Sequence, residues 1–181
     1  MLKQTLIAAA CAVAWANPTA AQQPAAGPSA AAAPYAPYTW LIGDWSSSGG
    51  IRELITFGPN RAYLKFSVFT PQNGLEHLHF EGIAMWNGKA KQLDYLFAVE
   101  PGSGVQENGT IRAEADGSLV REVEFIDAKG ATGTFRQLFK QTGPDTAVTS
   151  LFRQTDKGWI PTFPGAEKIE LSRKAGTAAS M

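Results

Sequence analysis

The sequence has few of the residues on which enzymes and metalloproteins usually depend. Its 181 residues include one cysteine, Cys11, and two histidines, His77 and His79. It contains no nucleophile elbow, zinc-protease motif, phosphate-binding loop or dinucleotide fingerprint. No contiguous motif therefore indicates catalysis. We expect no cofactor, assign no catalytic residue, and favour binding over catalysis.

An excess of charge of one sign is also lacking. The chain has 16 Lys and Arg residues against 16 Asp and Glu residues. Nucleic acids and anionic membranes attract stripes of basic side chains, and the sequence contains none. We therefore expect no nucleic-acid partner. The charge pattern does not indicate an oligomeric state.

Long apolar runs are confined to the start of the chain. Lys3 precedes the apolar run Leu6–Trp15, and small residues follow up to Ala21. This layout is typical of a cleavable secretory signal, and the run is shorter than the about 20 residues that a membrane-spanning helix needs. We predict a signal peptide over residues 1–21, and hence a periplasmic or secreted protein without a membrane span. Cleavage would remove Cys11 and leave no disulfide.

The next segment, residues 22–38, consists mainly of Ala, Pro, Gln, Gly and Ser. Such a composition buries too little apolar surface to offset the entropy lost on ordering, so we predict a flexible linker. Tyr35 and Tyr38 are unusual in a linker and are candidates for docking on the folded domain. At the other end, residues 176–181 are predicted to form a disordered tail. Residues 39–175 then form one folded domain.

The sequence of this domain is typical of an all-β protein. Short alternating runs are separated by turn dipeptides such as Asn87-Gly88 and Asp116-Gly117. The ten predicted strands are 44–48, 51–57, 62–69, 75–86, 91–99, 109–114, 119–126, 132–140, 147–154 and 167–173. Because closure removes the two exposed sheet edges, we predict an up-and-down antiparallel β-barrel of about ten strands. A β-sandwich is the alternative.

The segment Trp40-Leu41-Ile42-Gly43-Asp44-Trp45 opens the first strand with the motif aliphatic-x-Gly-x-Trp. This motif and the strand series over residues 40–173 resemble secreted bacterial lipocalin-like (calycin-type) barrels of poorly characterised families. The resemblance implies that Trp45 plugs one barrel end and stacks on a basic side chain of the last strand, where Arg173 lies. Haem-binding nitrobindins share the barrel plan but use a late histidine, and none follows His79 here. We therefore expect no haem.

The predicted fourth strand carries His77, His79 and Glu81, which strand alternation would place on one face. The two histidine Cα atoms would lie about 6.5–7 Å apart, within reach of one Zn²⁺ whose further ligand came from another strand. The alternatives are a polar cavity wall and a solvent-exposed face. We take the three residues as ligand-contacting candidates and assign no metal.

Two short segments, Phe135-Arg136-Gln137 and Phe152-Arg153-Gln154, repeat one pattern on neighbouring predicted strands. If the two phenylalanines share a face, Arg136 and Arg153 share the other. Resemblance to fatty-acid-binding barrels implies an inward arginine pair that holds a carboxylate through bidentate hydrogen bonds. The alternative is an outward face on which Arg136, Arg153 and Arg121 pair with Glu53, Glu122 or Glu124.

The aromatic residues of the predicted strands are expected to form the core, and some are expected to border a pocket. Tyr95 is the one that we assign to the ligand site. The segment Trp159–Gly165 precedes the last predicted strand and is apolar. We predict that it is a loop, which either plugs a barrel end or covers the cavity as a lid or partner contact.

The sequence thus predicts a barrel that binds a small apolar or amphipathic molecule with an acidic head. Aromatic and aliphatic walls would hold the apolar part, and polar side chains would orient the head. The candidates for the polar contacts are His77, His79, Glu81, Tyr95, Arg136 and Arg153. One alternative is a metal-assisted or acid/base enzyme that uses the histidine strand. Another is a structural, envelope-associated module without a ligand.

Overall fold

The computed structural model describes residues 30–175, with side chains from Pro34 onward. A 3-10 helix, Ala30–Leu41, precedes the sheet, and a short 3-10 turn, Pro59–Arg61, follows the second strand. The strands are β1 (Gly43–Ser47), β2 (Arg52–Phe57), β3 (Leu64–Gln72), β4 (Leu75–Asn87), β5 (Gln92–Val99), β6 (Val105–Ala113), β7 (Leu119–Ile126), β8 (Thr132–Gly143), β9 (Thr146–Thr155), β10 (Gly158–Pro161) and β11 (Ile169–Arg173).

Ten of these strands form a closed antiparallel barrel. Strands β1 to β9 pair with their neighbours in chain order, and β11 pairs with β9 on one side and with β1 on the other. The short strand β10 lies outside this ring as a hairpin with the end of β9. The predicted all-β, up-and-down barrel is therefore confirmed, and the sandwich alternative is wrong.

Two strands differ from the prediction for identifiable reasons. Part of the apolar segment predicted as a loop is β10, because Gly158 adopts a φ of +99° and turns the chain back onto β9. Strand β6 begins at Val105 and continues through Gly109, which the prediction took as a strand boundary. A Cβ on Gly109 would lie 1.9 Å from the Glu122 carbonyl oxygen, so this glycine permits close approach of two strands.

The N-terminal 3-10 helix docks on one end of the barrel. Tyr35 and Tyr38 are 3% and 1% exposed. The Tyr35 hydroxyl donates to the Ala62 carbonyl at 2.7 Å and accepts from the Trp86 amide at 3.0 Å. Docking of the two tyrosines is thus confirmed, and residues 30–38 are a helix instead of the flexible linker predicted there.

Three other predicted segments lie outside the described residues: the signal peptide over residues 1–21, linker residues 22–29, and the tail over residues 176–181. Between residues 30 and 175, no helix has the length and apolar character needed to cross a membrane.

The hydrophobic core fills the half of the barrel next to this helix. Strand alternation sends one apolar side chain from nearly every strand into it. The inward residues of this core include Trp45, Ile55, Leu64, Ala84, Leu93, Ile111, Leu119, Phe139, Ala147 and Leu171. The helix and the core together close one end of the barrel.

The ring closes where β1 meets β11. Trp45 and Arg173 are paired in register, and Arg173 Cζ lies 4.5 Å from the centroid of the Trp45 ring. The Trp45 indole donates to the Leu41 carbonyl at 2.8 Å, and Arg173 Nη2 donates to the Trp40 carbonyl at 2.6 Å. The stacking expected from the sequence is therefore present.

Gly43 makes room for this contact. Its φ is +148°, and a Cβ built on it would lie 3.0 Å from Arg173 Cδ. A larger residue would therefore need both an unfavourable backbone conformation and a shift of the arginine. The Gly-x-Trp motif thus has a steric explanation: Gly43 accommodates the arginine chain while Trp45 stacks on its guanidinium.

Removing the arginine should weaken ring closure. We expect Arg173→Ala to lower the free energy of unfolding by about 1–3 kcal/mol, because it deletes a cation–π contact and a part-buried hydrogen bond. Thermal and urea denaturation measure the change. Arg153→Ala is the control, since Arg153 is exposed. Equal stability of the two variants would contradict the assigned role of Arg173.

Candidate functional site

The half of the barrel remote from the N-terminal helix contains a cavity of about 370 Å³. This volume lies within the range of about 300–1,000 Å³ that is usual for small-molecule sites. Most of the wall is apolar and includes Val68, Phe80, Val123, Phe125, Phe135 and Leu151. Ile51, Thr70 and Phe163 border the cavity toward the barrel end opposite the helix. The interior is therefore filled at one end and hollow at the other.

A layer of polar side chains separates the core from the cavity. Each of them except Glu107 lies two positions from an inward core residue on its strand, so alternation points it into the barrel. The layer consists of Glu53 on β2, Glu107 on β6, Arg121 on β7, Gln137 on β8 and Thr149 on β9. None of these residues was predicted from the sequence as a ligand contact.

Arg121 is the centre of this layer. Its Nη2 donates to Glu107, and its Nη1 donates to Gln137 Oε1 at 3.0 Å. Gln137 Nε2 then donates to Thr149 Oγ1 at 3.1 Å, and this hydroxyl donates to the Leu138 carbonyl at 2.9 Å. The chain of donors and acceptors thus runs from a carboxylate to the backbone.

Two aromatic rings support the Arg121 guanidinium. Its Cζ lies 4.6 Å from the Tyr95 centroid and 4.7 Å from the Phe97 centroid. Tyr95 does not line the cavity, and burial raises the pKa of its hydroxyl to about 12. Tyr95, predicted as a ligand contact, is therefore placed behind Arg121, where it positions the cation.

Glu53 differs from the other charged residues of the layer. Its carboxyl lines the cavity but has no hydrogen bond or ion pair within the described part of the chain. Burial raises the pKa of this carboxyl above its ordinary value, and the charge of Arg121 opposes the shift only in part. Glu53 is therefore a polar group of the cavity wall whose bonding capacity is unused.

The predicted histidine strand is divided by a β-bulge. The register between β3 and β4 shifts at Val68 and Phe69, with His79 as the additional residue. His79 and its neighbour Phe80 consequently both line the cavity. Glu81 instead forms an ion pair with Lys65 at 2.8 Å and is half exposed. The prediction that Glu81 shares a face with the two histidines is wrong, because the bulge interrupts alternation.

Both histidines contact one carboxylate that the sequence analysis missed. His77 Nε2 lies 2.5 Å from Glu100 Oε2, and His79 Nδ1 lies 2.5 Å from Glu100 Oε1. These bonds hold the pKa of Glu100 below its usual value. His77 is not part of the cavity wall. From residue 30 to residue 175, no group of three or more His, Cys, Asp or Glu residues is arranged to hold a metal ion.

The repeated Phe-Arg-Gln segments do not form an inward arginine pair. Phe135 is paired with Arg153, and Arg136 with Phe152, so the two arginines lie on opposite faces. Arg136 binds Glu122 at 2.7 Å on the outer surface, as the outward alternative predicted. Its Cζ also lies 4.4 Å from the Trp159 ring.

Arg153 is exposed and outside the cavity wall. The inward-pair prediction is therefore wrong for Arg136 and Arg153, and the arginine that lines the cavity is Arg121. The sequence does contain a signal for it. Arg121 lies at even spacing between the apolar residues Leu119 and Val123, as Glu53 does between Ile51 and Ile55, so counting every second residue places both inside.

Comparison with known proteins adds no functional assignment. No protein-family model matches the chain, and no curated protein matches it.

The ion pair of the polar layer should matter more to stability than the one on the surface. Arg121→Met leaves Glu107 buried without its cation, and we expect it to cost about 3–5 kcal/mol. Arg136→Met breaks a half-exposed pair and should cost about 0–1 kcal/mol. The double variant Arg121→Met/Glu107→Leu should recover most of the loss, since neither charge of the ion pair is left buried alone. Urea denaturation measures all three, and equal costs of the two single variants would contradict this assignment.

The raised pKa of Glu53 should appear as pH-dependent stability. The carboxyl ionises in the unfolded chain near its ordinary value of 4.5 and in the folded protein only at higher pH. Ionisation therefore favours unfolding as pH rises above 4.5. We expect Glu53→Gln to gain stability relative to the parent protein as the pH is raised from 4.5 toward neutral.

Urea denaturation across this pH range measures the trend, and Glu81→Gln on the outer face is the matched control. The other titratable and charged groups on the same cavity wall, Glu107, Arg121 and His79, are unchanged in both variants. A constant difference between parent and Glu53→Gln would contradict the burial of this carboxyl.

Proposed function

We propose that this protein binds a small, largely apolar molecule inside the barrel. The observation that carries the proposal is the cavity of about 370 Å³, whose aromatic and aliphatic walls rise above a layer of polar groups. Each Å² of apolar surface removed from water contributes about 25 cal/mol. A ligand that covered these walls would therefore be bound mainly by the hydrophobic effect.

The packing around the cavity supports this function. Phe125 and Phe135 touch edge to face, with centroids 6.1 Å apart, and line the space without filling it. Side chains next to an apolar void lack contact atoms on one side. A bound apolar molecule would supply those contacts, and the polar layer would orient its head.

We further propose that the protein is a lipocalin-like barrel of the calycin type. The ring of ten strands supports this assignment, as does the arrangement of Gly43, Trp45 and Arg173 where the ring closes. The leader predicted over residues 1–21 would direct the protein to the periplasm or out of the cell.

The two alternative functions have less support. Acid/base catalysis would pair His77 or His79 as the base with Glu81 or Glu53, but Glu81 lies on the outer face with Lys65, and both histidines are bonded to Glu100. A purely structural module would be expected to fill its barrel with side chains. The hollow above the polar layer favours ligand binding instead.

A neutral fluorescent probe, N-phenylnaphthylamine, tests the proposal. We expect its fluorescence to rise on binding to the delipidated protein. Leu151→Trp should weaken binding at least about tenfold, because the larger side chain occupies the cavity. Leu138→Trp, at an exposed position of the outer face, should bind like the parent. Absence of probe binding by the parent, or equal binding by both variants, would contradict an interior site.

A further inference from the structure

We infer that the ligand's polar end is an uncharged or cationic hydrogen-bond donor, a hydroxyl or an amine, that binds the carboxyl groups of Glu53 and Glu107. The inference rests on the proposed function and specifies which head group the cavity accepts. It differs from the acidic head expected from the sequence, for which an arginine would be the partner.

The arginine of the cavity wall already has a carboxylate partner. Its Nη1 and Nη2 donate to Gln137 and Glu107, and its faces lie against the Tyr95 and Phe97 rings. The remaining nitrogen, Nε, is buried away from the cavity space. A ligand carboxylate at Arg121 would therefore either share the cation with the neighbouring Glu107 carboxylate or displace it and leave a buried carboxylate unpaired.

The charges on the cavity wall also disfavour an acid. The wall contains one permanent cation, Arg121, against the carboxyl groups of Glu53 and Glu107. His79 lies nearer the mouth, where its ring contacts Glu100. The charge of Arg121 is already balanced by Glu107, so a ligand carboxylate would add an uncompensated negative charge to a site of low dielectric constant.

Acceptors for a donor are available at the same place. Glu53 has no hydrogen bond or ion pair in the described residues, and Glu107 is bonded to Arg121 through Oε2. Below Glu53 lies the core around Trp45 and Ile55, and above it lies the cavity. A hydroxyl or ammonium group at the polar layer would bond Glu53, while the apolar tail would extend past Phe125 and Leu151 toward the mouth.

Three probes with the same chain and different heads test this inference: decanol, decylamine and decanoic acid. Each is titrated into the protein loaded with N-phenylnaphthylamine at neutral pH, and displacement of the dye gives the affinity. We expect decanol and decylamine to bind at least about tenfold more tightly than decanoate, as expected when a buried acceptor selects a donor.

A pair of variants assigns the selectivity to Glu53. Glu53→Leu should reduce the preference for decanol and decylamine over decanoate at least about tenfold while retaining the dye. Glu81→Leu removes a carboxylate from the outer face and should leave the preference unchanged. If Glu53→Leu does not fold, the ranking of the three probes by the parent protein decides the question.

The outcomes separate this inference from the proposed function. Binding of decanoate as tight as that of decanol, or a preference that survives Glu53→Leu, would overturn the head-group assignment and leave the interior site in place. Failure of the dye and all three probes to bind the parent protein would instead contradict the proposed function.

Discussion

The contact between the Trp45 ring and the Arg173 guanidinium joins the first and last strands of the ring. Without that junction the strands would form an open sheet with two unpaired edges and no interior. Gly43 lets the arginine approach, and the Trp40 carbonyl fixes its far end. Cavity, polar layer and docked helix all require the enclosed space that this junction completes.

The enclosed space is divided by the chain of bonds through Arg121. Packing hydrocarbon side chains against charged groups costs free energy. The apolar core therefore ends at the layer that contains Glu107, Arg121 and Gln137. The aromatic faces of Tyr95 and Phe97 stabilise the cation from one side. The other side of the layer is the cavity. One buried network therefore both limits the core and forms the polar part of the candidate site.

Much of the fold could be predicted from local sequence patterns. Which side chains form the candidate site depends instead on the register between neighbouring strands. Asn87-Gly88 and Asp116-Gly117 separate strands that each alternate, so strand order followed directly. Which residues face inward was harder to predict, because one bulged residue, His79, changes the orientation of its neighbours. The pairing of Phe135 with Arg153 likewise depends on the register between β8 and β9. That register cannot be predicted from the sequence of either strand alone. Arg121 was predictable by alternation, since its apolar neighbours at even spacing place it inside.

Strand β9 pairs with β11 inside the ring and with β10 outside it. The segment that borders the cavity entrance is therefore not part of the ring of paired strands. Strand β10 turns away from the barrel, and the chain returns as β11 through residues 162–168. Thr162 and Phe163 of this return segment border the entrance. The segment is held by two backbone hydrogen bonds to Leu151, whose amide donates to the Ala166 carbonyl and whose carbonyl accepts from the Thr162 amide. Changes in its length or sequence would reshape the entrance while every ladder of the ring stayed paired. The barrel can thus diversify what it admits without changing how it folds.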